Sequence, residues 1–257
     1  MSASLKKTAL ALFMFTSLTF SFAQTADEII NKHISAMGGK EKLAALKTLK
    51  ITGSTQGGPG IEFPTSIVQV DGKSSRMELT VQGMTMMQVV DGDSGWYISP
   101  FEGKKDAERM DQEMITSEKE GLDLAGDLFN YKAKGHSVEY LGKEDMEGSD
   151  TYKLKLTKKS GSVHFLYLDA SNYYLLKETV KEKFKDKEVE SESLFSNYKT
   201  ENGYTFPYAQ ETREKGASSG QTFTITKYAI NPVIDPAIFK MPKPAAKTTE
   251  TKTPAAK

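Results

Sequence analysis

The sequence of 257 residues contains no cysteine. Disulfide frameworks, thiol catalysis, zinc ribbons and iron–sulfur clusters are therefore excluded, because each of them requires cysteine sulfur. The same absence excludes a lipid anchor attached to cysteine, as in bacterial lipoproteins. A chain of this length does not need such crosslinks, since one β domain of about 200–250 residues can bury enough apolar surface to be stable.

An excess of charge of either sign is also lacking. The 34 Lys and Arg residues balance 34 Asp and Glu residues, so the formal net charge is zero. Residues 1–23 hold two of these bases, and residues 241–257 hold four bases and one acid, which leaves 28 bases and 33 acids between them. The central part is thus mildly acidic, and no nucleic-acid partner is expected because such a partner requires a concentrated basic patch.

Residue patterns for catalysis or metal binding are scarce. The three histidines, His33, His136 and His164, have no metal-ligand spacing, so we expect structural roles for them and no metal site. The stretch 92–95 reads Gly-Asp-Ser-Gly, as around the nucleophile of trypsin-like proteases, but Trp96 replaces the next glycine and a hairpin turn explains the stretch. We therefore predict a protein that is not an enzyme and that uses no cofactor.

The two ends of the chain differ in composition from the middle. Residues 1–23 have the features of a cleavable secretory signal peptide: two lysines, an apolar stretch from Ala9 to Phe22 and a small residue, Ala23, at the cleavage site. The apolar stretch is too short to span a bilayer comfortably. Residues 243–257 contain no large apolar side chain and are predicted to be a disordered tail. Residues 24–242 are predicted to form one domain.

Helices are predicted in two parts of this domain. Thr25 and Glu28 have the spacing of a capping box, and Gly38-Gly39 ends the apolar periodicity that follows them. A short second helix is expected directly afterwards. Residues 106–130 lack the alternation typical of strands and favour one or two short helices packed across the sheet.

Strands are predicted over most of the remaining chain. From Leu49 to about Pro100 apolar and polar residues alternate, with turns at Gly83 and at Asp91-Gly92, which indicates an antiparallel meander. Alternation resumes at Tyr152 and continues to about residue 230. The total of about ten or eleven strands predicts a mainly β (α+β) protein with one curved antiparallel sheet or an open barrel.

Methionine is concentrated on the predicted sheet and on the segment that covers it. Six of the 11 methionines are Met77, Met84, Met86, Met87, Met110 and Met114. Because methionine is flexible and polarizable, such a surface suits variable apolar ligands, but ordinary core packing explains the pattern equally well.

Three short runs resemble the outer-membrane lipoprotein-sorting family, the LolA-like periplasmic carriers of lipoproteins and lipids. They are Arg76-Met77-Glu78-Leu79, Val89-Val90-Asp91-Gly92 and Trp96-Tyr97-Ile98-Ser99-Pro100. The opening run from residue 26 resembles the Bacteroidetes-type branch, and the closing run INPVIDPAIFKMP matches the ending typical of the family. The resemblance implies an open half-barrel of about eleven antiparallel strands with helices covering its concave face.

The resemblance also implies a function. The protein is expected to be a periplasmic carrier that binds acyl chains of lipoproteins or lipids in an apolar cavity and shuttles them toward the outer membrane, with inner- and outer-membrane transport proteins as possible partners. Arg76 is the candidate for a family arginine that holds the lid helices. The predicted lipid-binding residues are Met77, Leu79, Val81, Met84, Met86, Trp96, Met110, Met114, Leu122 and Phe165. The alternatives are an envelope protein that binds partners and has a filled core, and an enzyme on the same scaffold.

Overall fold

The computed structural model describes residues 24–58, 60–184 and 187–243. The predicted signal peptide, residues 1–23, lies outside the described residues, and so does the predicted tail, residues 243–257, except for Lys243. Among the described helices, none is both long enough and apolar enough to span a membrane.

Helices form a small part of the described chain. They are α1 (Ala26–Ala36), α2 (Lys40–Ala45) and α3 (Gln112–Glu120), with 3₁₀ helices at Pro100–Glu102 and Pro236–Phe239. The predicted capping box starts α1: the Thr25 hydroxyl accepts a hydrogen bond from the Glu28 backbone N–H at 3.2 Å, and the Glu28 carboxylate accepts one from the Thr25 N–H at 2.9 Å. The helix ends where Gly38 takes a φ of 127°.

Strands form most of the described chain. They are β1 (Thr48–Gly58), β2 (Ile61–Val70), β3 (Ser74–Val81), β4 (Met84–Asp91), β5 (Ser94–Ser99), β6 (Lys104–Arg109), β7 (Ser137–Met146), β8 (Ser149–Thr157), β9 (Val163–Asp169), β10 (Leu175–Phe184), β11 (Lys187–Ser196), β12 (Lys199–Glu201), β13 (Tyr204–Phe206), β14 (Ala209–Glu214) and β15 (Gln221–Ile230).

Thirteen of these strands form one antiparallel sheet in the order β6-β5-β4-β3-β2-β1-β15-β14-β11-β10-β9-β8-β7. The strands β12 and β13 form a separate hairpin. The sheet is not closed, because β6 and β7 are its two edges, so the predicted open half-barrel is confirmed with thirteen strands in place of about eleven. The pairing of β1 with β15 joins two meanders, one on each side.

The strand register assigns every side chain to one of two faces, because paired residues of antiparallel strands share a face and successive residues alternate. We call residues 110–136, which connect β6 to β7, the crossing segment. The inner face is the face against which α1 and the crossing segment pack, and the outer face is the opposite one. Val90, for example, packs under Ile115 on the inner face, whereas Val89 packs under Phe239 on the outer face.

Both faces carry buried clusters. On the inner face, the isoleucines of α1 and the aromatic residues Phe129 and Tyr131 of the crossing segment pack against leucines of β8 and β9. A second inner cluster gathers tyrosines of β13 and β15 around Leu46 and Leu49. On the outer face, the C-terminal segment 234–241, which we call the strap, packs on Val68, Val89 and Trp96.

The prediction for residues 106–130 is only partly confirmed. Residues 104–109 form the edge strand β6, which pairs with β5, and α3 is the only helix within 106–130 of the described chain. The alternation of β6 is hidden in the sequence because an edge strand can place charged residues on both faces. Beyond α3, residues 121–135 form turns, with Gly126 at a φ of 79°.

Candidate ligand-binding face

A patch of apolar side chains on the inner face of β2, β3 and β4 packs against none of the buried clusters of the described chain. Its members are Ile67, Met77, Leu79, Val81, Met84 and Met86, which we call the open strip. They are cross-strand neighbours, since Ile67 pairs with Met77 and Leu79 with Met86. Five are half-buried and Met84 is 40% exposed. Contiguous exposed apolar patches are uncommon and mark binding surfaces.

The open strip continues to the rim of the half-barrel. Phe63, four residues before Ile67 and on the same inner face of β2, is half-buried, and Ile61 at the start of the strand is 51% exposed. Val81 pairs with Met84 next to the β3–β4 turn. An apolar chain could therefore lie along the strands with its methyl end at the rim.

The crossing segment covers the part of the inner face next to the open strip. Met110, Ile115 and Leu122 are buried against Val90, and Met114 packs beside them. Gly95 permits this close packing, since a Cβ there would lie 2.6 Å from the Met110 Sδ. The segment thus forms a wall beside the open strip rather than a cover over it.

Polar groups form the border between the open strip and this wall. Gln88 of β4 donates a hydrogen bond from Nε2 to the Glu118 carboxylate of α3 at 2.8 Å. Burial raises the pKa of Glu118 above its usual range. Beyond Gln88, the Tyr97 hydroxyl donates to Glu108 at 2.9 Å and accepts from Lys104 at 2.8 Å.

A second polar group holds the far part of the crossing segment to the sheet. The Lys158 side chain is 7% exposed, and its ammonium lies 2.9 Å from the Asp127 carboxylate and 3.5 Å from that of Glu120. Burial alone would lower the pKa of Lys158, but these carboxylates raise it above its usual value. We call these three residues the latch.

The latch adjoins a group that could ligate a cation. Ligand atoms of Asp127, His164 and Glu178 lie within 4.8 Å of one another. His164 is buried, and its Nδ1 lies 2.7 Å from Glu178. The Lys158 ammonium already balances Asp127, so the protein itself supplies the positive charge that a metal ion would bring.

His164 and Glu178, together with Ser162, are arranged in the order of a serine–histidine–carboxylate catalytic triad. The Ser162 hydroxyl lies 3.2 Å from His164 Nε2, on the side opposite Glu178. However, Ser162 also donates to the Glu120 carboxylate at 3.1 Å, and a carboxylate at that distance would oppose the negative charge of a tetrahedral intermediate. The arrangement is therefore better suited to fixing the crossing segment than to acyl transfer.

Arg76, the candidate for holding the lid helices, contacts the strap rather than the crossing segment. The register places Arg76 on the outer face, where it donates to Glu78 and, from Nη1, to the Ile238 carbonyl of the strap at 2.6 Å. A cavity of about 270 Å³ lies beside it, lined by Lys50, Ser66, Val68, Arg76, Glu78 and Ile238.

Two predicted lipid-binding residues also lie on the outer face. Trp96 is 5% exposed under the strap and donates from Nε1 to the Phe239 carbonyl at 2.8 Å. Phe165 has the ammonium groups of Lys153 and Lys181 about its ring, each 5.8 Å from the ring centroid. Neither residue meets the open strip.

The structure brings the other predicted residues together in two neighbouring groups. Met77, Leu79, Val81, Met84 and Met86 belong to the open strip, whereas Met110, Met114 and Leu122 belong to the wall beside it. Sequence reasoning missed Ile67, Gln88 and Glu118. Ile67 shares a face of β2 with Thr65 and Gln69, but the neighbouring Val68 is equally apolar, so no alternation in the sequence marks this face.

No family model matches the sequence, and no curated protein matches it. Solved structures are similar in fold. A LolA superfamily protein from Nitrosomonas europaea is 16% identical with a TM-score of 0.53, over 85% of this chain and 98% of that one. A domain from Vibrio parahaemolyticus named for outer membrane lipoprotein sorting is 15% identical with a TM-score of 0.53, over 82% and 94%.

A DUF1329 family protein from Desulfovibrio piger is 13% identical with a TM-score of 0.56, over 85% of this chain and 98% of that one. At these identities the likeness concerns the fold. The chain has a LolA-like fold, as the resemblance of its short runs implies.

Proposed function

We propose that this protein is a carrier that binds the acyl chains of lipoproteins or other lipids on the open strip and shuttles them through the periplasm toward the outer membrane. The observation that carries the proposal is the open strip itself, six neighbouring apolar side chains that no buried cluster of the described chain includes. The LolA-like fold supports the proposal, because one similar structure is named for lipoprotein sorting.

The size of the open strip fits a ligand that must be both bound and released. Each buried methylene contributes about 0.8 kcal/mol, so ten methylenes would contribute about 8 kcal/mol before ordering costs. About 8 kcal/mol corresponds to micromolar binding, and the ordering costs make the net affinity weaker than that. Methionine side chains adapt to different chains, and an open rim leaves a path for release.

The remaining parts of the proposal follow from this role. Residues 1–23 export the chain as a cleaved signal peptide, residues 24–242 form the carrier domain, and transport proteins of the two membranes deliver and receive the ligand. The ligand is bordered on one side by the wall residues Met110, Met114 and Leu122. The carrier acts without catalysis, because binding and release require no covalent step.

The test compares two neighbouring methionines of β4 that lie on opposite faces. Met86 belongs to the open strip, whereas Met87 packs on the outer face, where its Sδ lies 3.4 Å from Arg76 Nη2. Binding of the apolar fluorescent probe N-phenyl-1-naphthylamine, and its displacement by monoacylglycerol, would be measured for the wild-type protein, Met86→Glu and Met87→Glu.

We expect Met86→Glu to weaken probe binding at least tenfold, since a carboxylate in an apolar site costs several kcal/mol. Met87→Glu should bind within about twofold of the wild type, because it changes the other face. Lipid should also copurify with the wild-type protein. A wild-type protein that bound neither probe nor lipid would refute the carrier function and favour a filled core.

A further inference from the structure

The polar border of the open strip faces the place where the head group of a bound lipid would lie. Gln88 pairs with Met77 of the open strip on one side and with Tyr97 on the other. It is two residues from Met86 on the same face, and its amide is fixed by the hydrogen bond from Nε2 to Glu118. A chain that lies along the strands with its methyl end at the rim would therefore have its polar head at Gln88 and Glu118.

The charge of this border is negative. Glu118 is half-buried, and its described hydrogen bond is to the neutral amide of Gln88. The other charged groups here are Glu108 and Lys104, which pair with each other at 3.1 Å. Lys119, the neighbour of Glu118 in sequence, is paired with Asp93 at 2.7 Å. The nearby ammonium groups are thus committed to other carboxylates, and no ion pair to a described residue balances the Glu118 carboxylate.

Resting on the proposed function, we propose that Gln88 and Glu118 select acyl ligands by head group: the site accepts neutral, hydrogen-bonding heads such as glycerol esters and amides and disfavours free fatty-acid carboxylates. A neutral head can donate a hydroxyl or amide hydrogen to Glu118 and accept from the second amide hydrogen of Gln88. A carboxylate head would meet a second carboxylate in a poorly solvated place, where like charges repel strongly.

The test uses two ligands with the same acyl chain, dodecanoic acid and its monoacylglycerol, as displacers of N-phenyl-1-naphthylamine at pH 8. For the wild-type protein we expect monoacylglycerol to displace the probe at a concentration at least tenfold lower than dodecanoic acid. Glu118→Gln keeps the shape of the side chain and removes its charge. In this variant the ratio of the displacing concentration of dodecanoic acid to that of monoacylglycerol should fall at least threefold, chiefly because dodecanoic acid binds better.

Glu139→Gln is the matched control. It makes the same chemical change at an exposed residue on the outer face of β7, opposite Lys155, so the ratio should stay at the wild-type value. Equal displacement by the two ligands in the wild type, or an unchanged ratio in Glu118→Gln, would overturn the head-group selection while leaving the carrier function intact. A protein that bound no probe would overturn both.

Discussion

Replacing Lys158 by methionine should loosen the crossing segment without touching the open strip. Methionine has a similar length and keeps the apolar packing of the lysine stem, but it removes the ammonium that lies 2.9 Å from Asp127 and 3.5 Å from Glu120. Both carboxylates belong to the crossing segment, whereas Lys158 directly follows β8. The substitution therefore cuts the ionic connection between the segment and the sheet.

The magnitude follows from the exposure of the three side chains. Removing one partner of a fully buried ion pair costs about 3–5 kcal/mol, because the other charge stays buried and unpaired. Lys158 is 7% exposed, but Asp127 and Glu120 are 24% and 29% exposed and keep some water. We therefore expect a loss of about 2–3 kcal/mol in the free energy of unfolding, or about 4–12 °C in Tm for a domain of this size.

Differential scanning calorimetry would measure the change, with Lys155→Met as the matched control. Lys155 lies on the outer face of β8 and has no ion pair with a described residue, so its loss should change stability by less than about 0.5 kcal/mol. Hydrogen exchange should quicken in residues 118–128 of Lys158→Met. If Tm fell equally in both variants, and exchange in 118–128 did not change, the latch would not hold the crossing segment.

Two further predictions concern stability. Gly38→Ala should lower the free energy of unfolding, measured with urea, by about 2 kcal/mol or more, because Gly38 has a φ of 127° and an added Cβ would lie 2.6 Å from the Gly203 carbonyl oxygen. Gly39→Ala is the control and should cost less, since Gly39 has a φ of 91° and free space around the added Cβ. His33 is half-buried, and partial desolvation lowers its pKa below about 6.5, although its hydrogen bond to the Tyr173 carbonyl opposes this. Just below pH 6.5 only the unfolded state gains a proton, so the free energy of unfolding should decrease as the pH is lowered, by at most about 1.4 kcal/mol per pH unit. The decrease should be less steep in His33→Gln, and equal slopes in the two proteins would contradict this.

The features that the sequence predicted correctly are set by local chemistry. The capping box of Thr25 and Glu28 and the Asp91-Gly92 turn depend on residues a few positions apart, and both are present in the structure. Alternation also predicted β3 and β4. It did not show which alternate set is covered, because Val89 and Met87 on one face are as apolar as Val90 and Met86 on the other. The outer set, with Val89 and Met87, is covered by the strap, which comes from residues 234–241, far away in the sequence.

The polar groups could not be predicted for a related reason. Asp127, Lys158, His164 and Glu178 meet only after the crossing segment lies across β8, β9 and β10, so no spacing in the sequence connects them. Gln88 and Glu118 are likewise brought together by the packing of α3 on β4. The family pattern gives the order of Arg76 and Trp96 along the chain and not their face, so it could not show that both lie on the outer face.

The crossing segment connects β6 to β7, the two edges of the open sheet, and this limits how it can move. A segment attached to the sheet at one end could swing away as a flap, but this segment is attached at both ends, so only its middle can move away from the sheet. Part of its spare length lies in α3, whose nine residues span about 14 Å as a helix and about 30 Å when extended. Unwinding α3 would therefore release about 16 Å of chain between the two edges of the sheet.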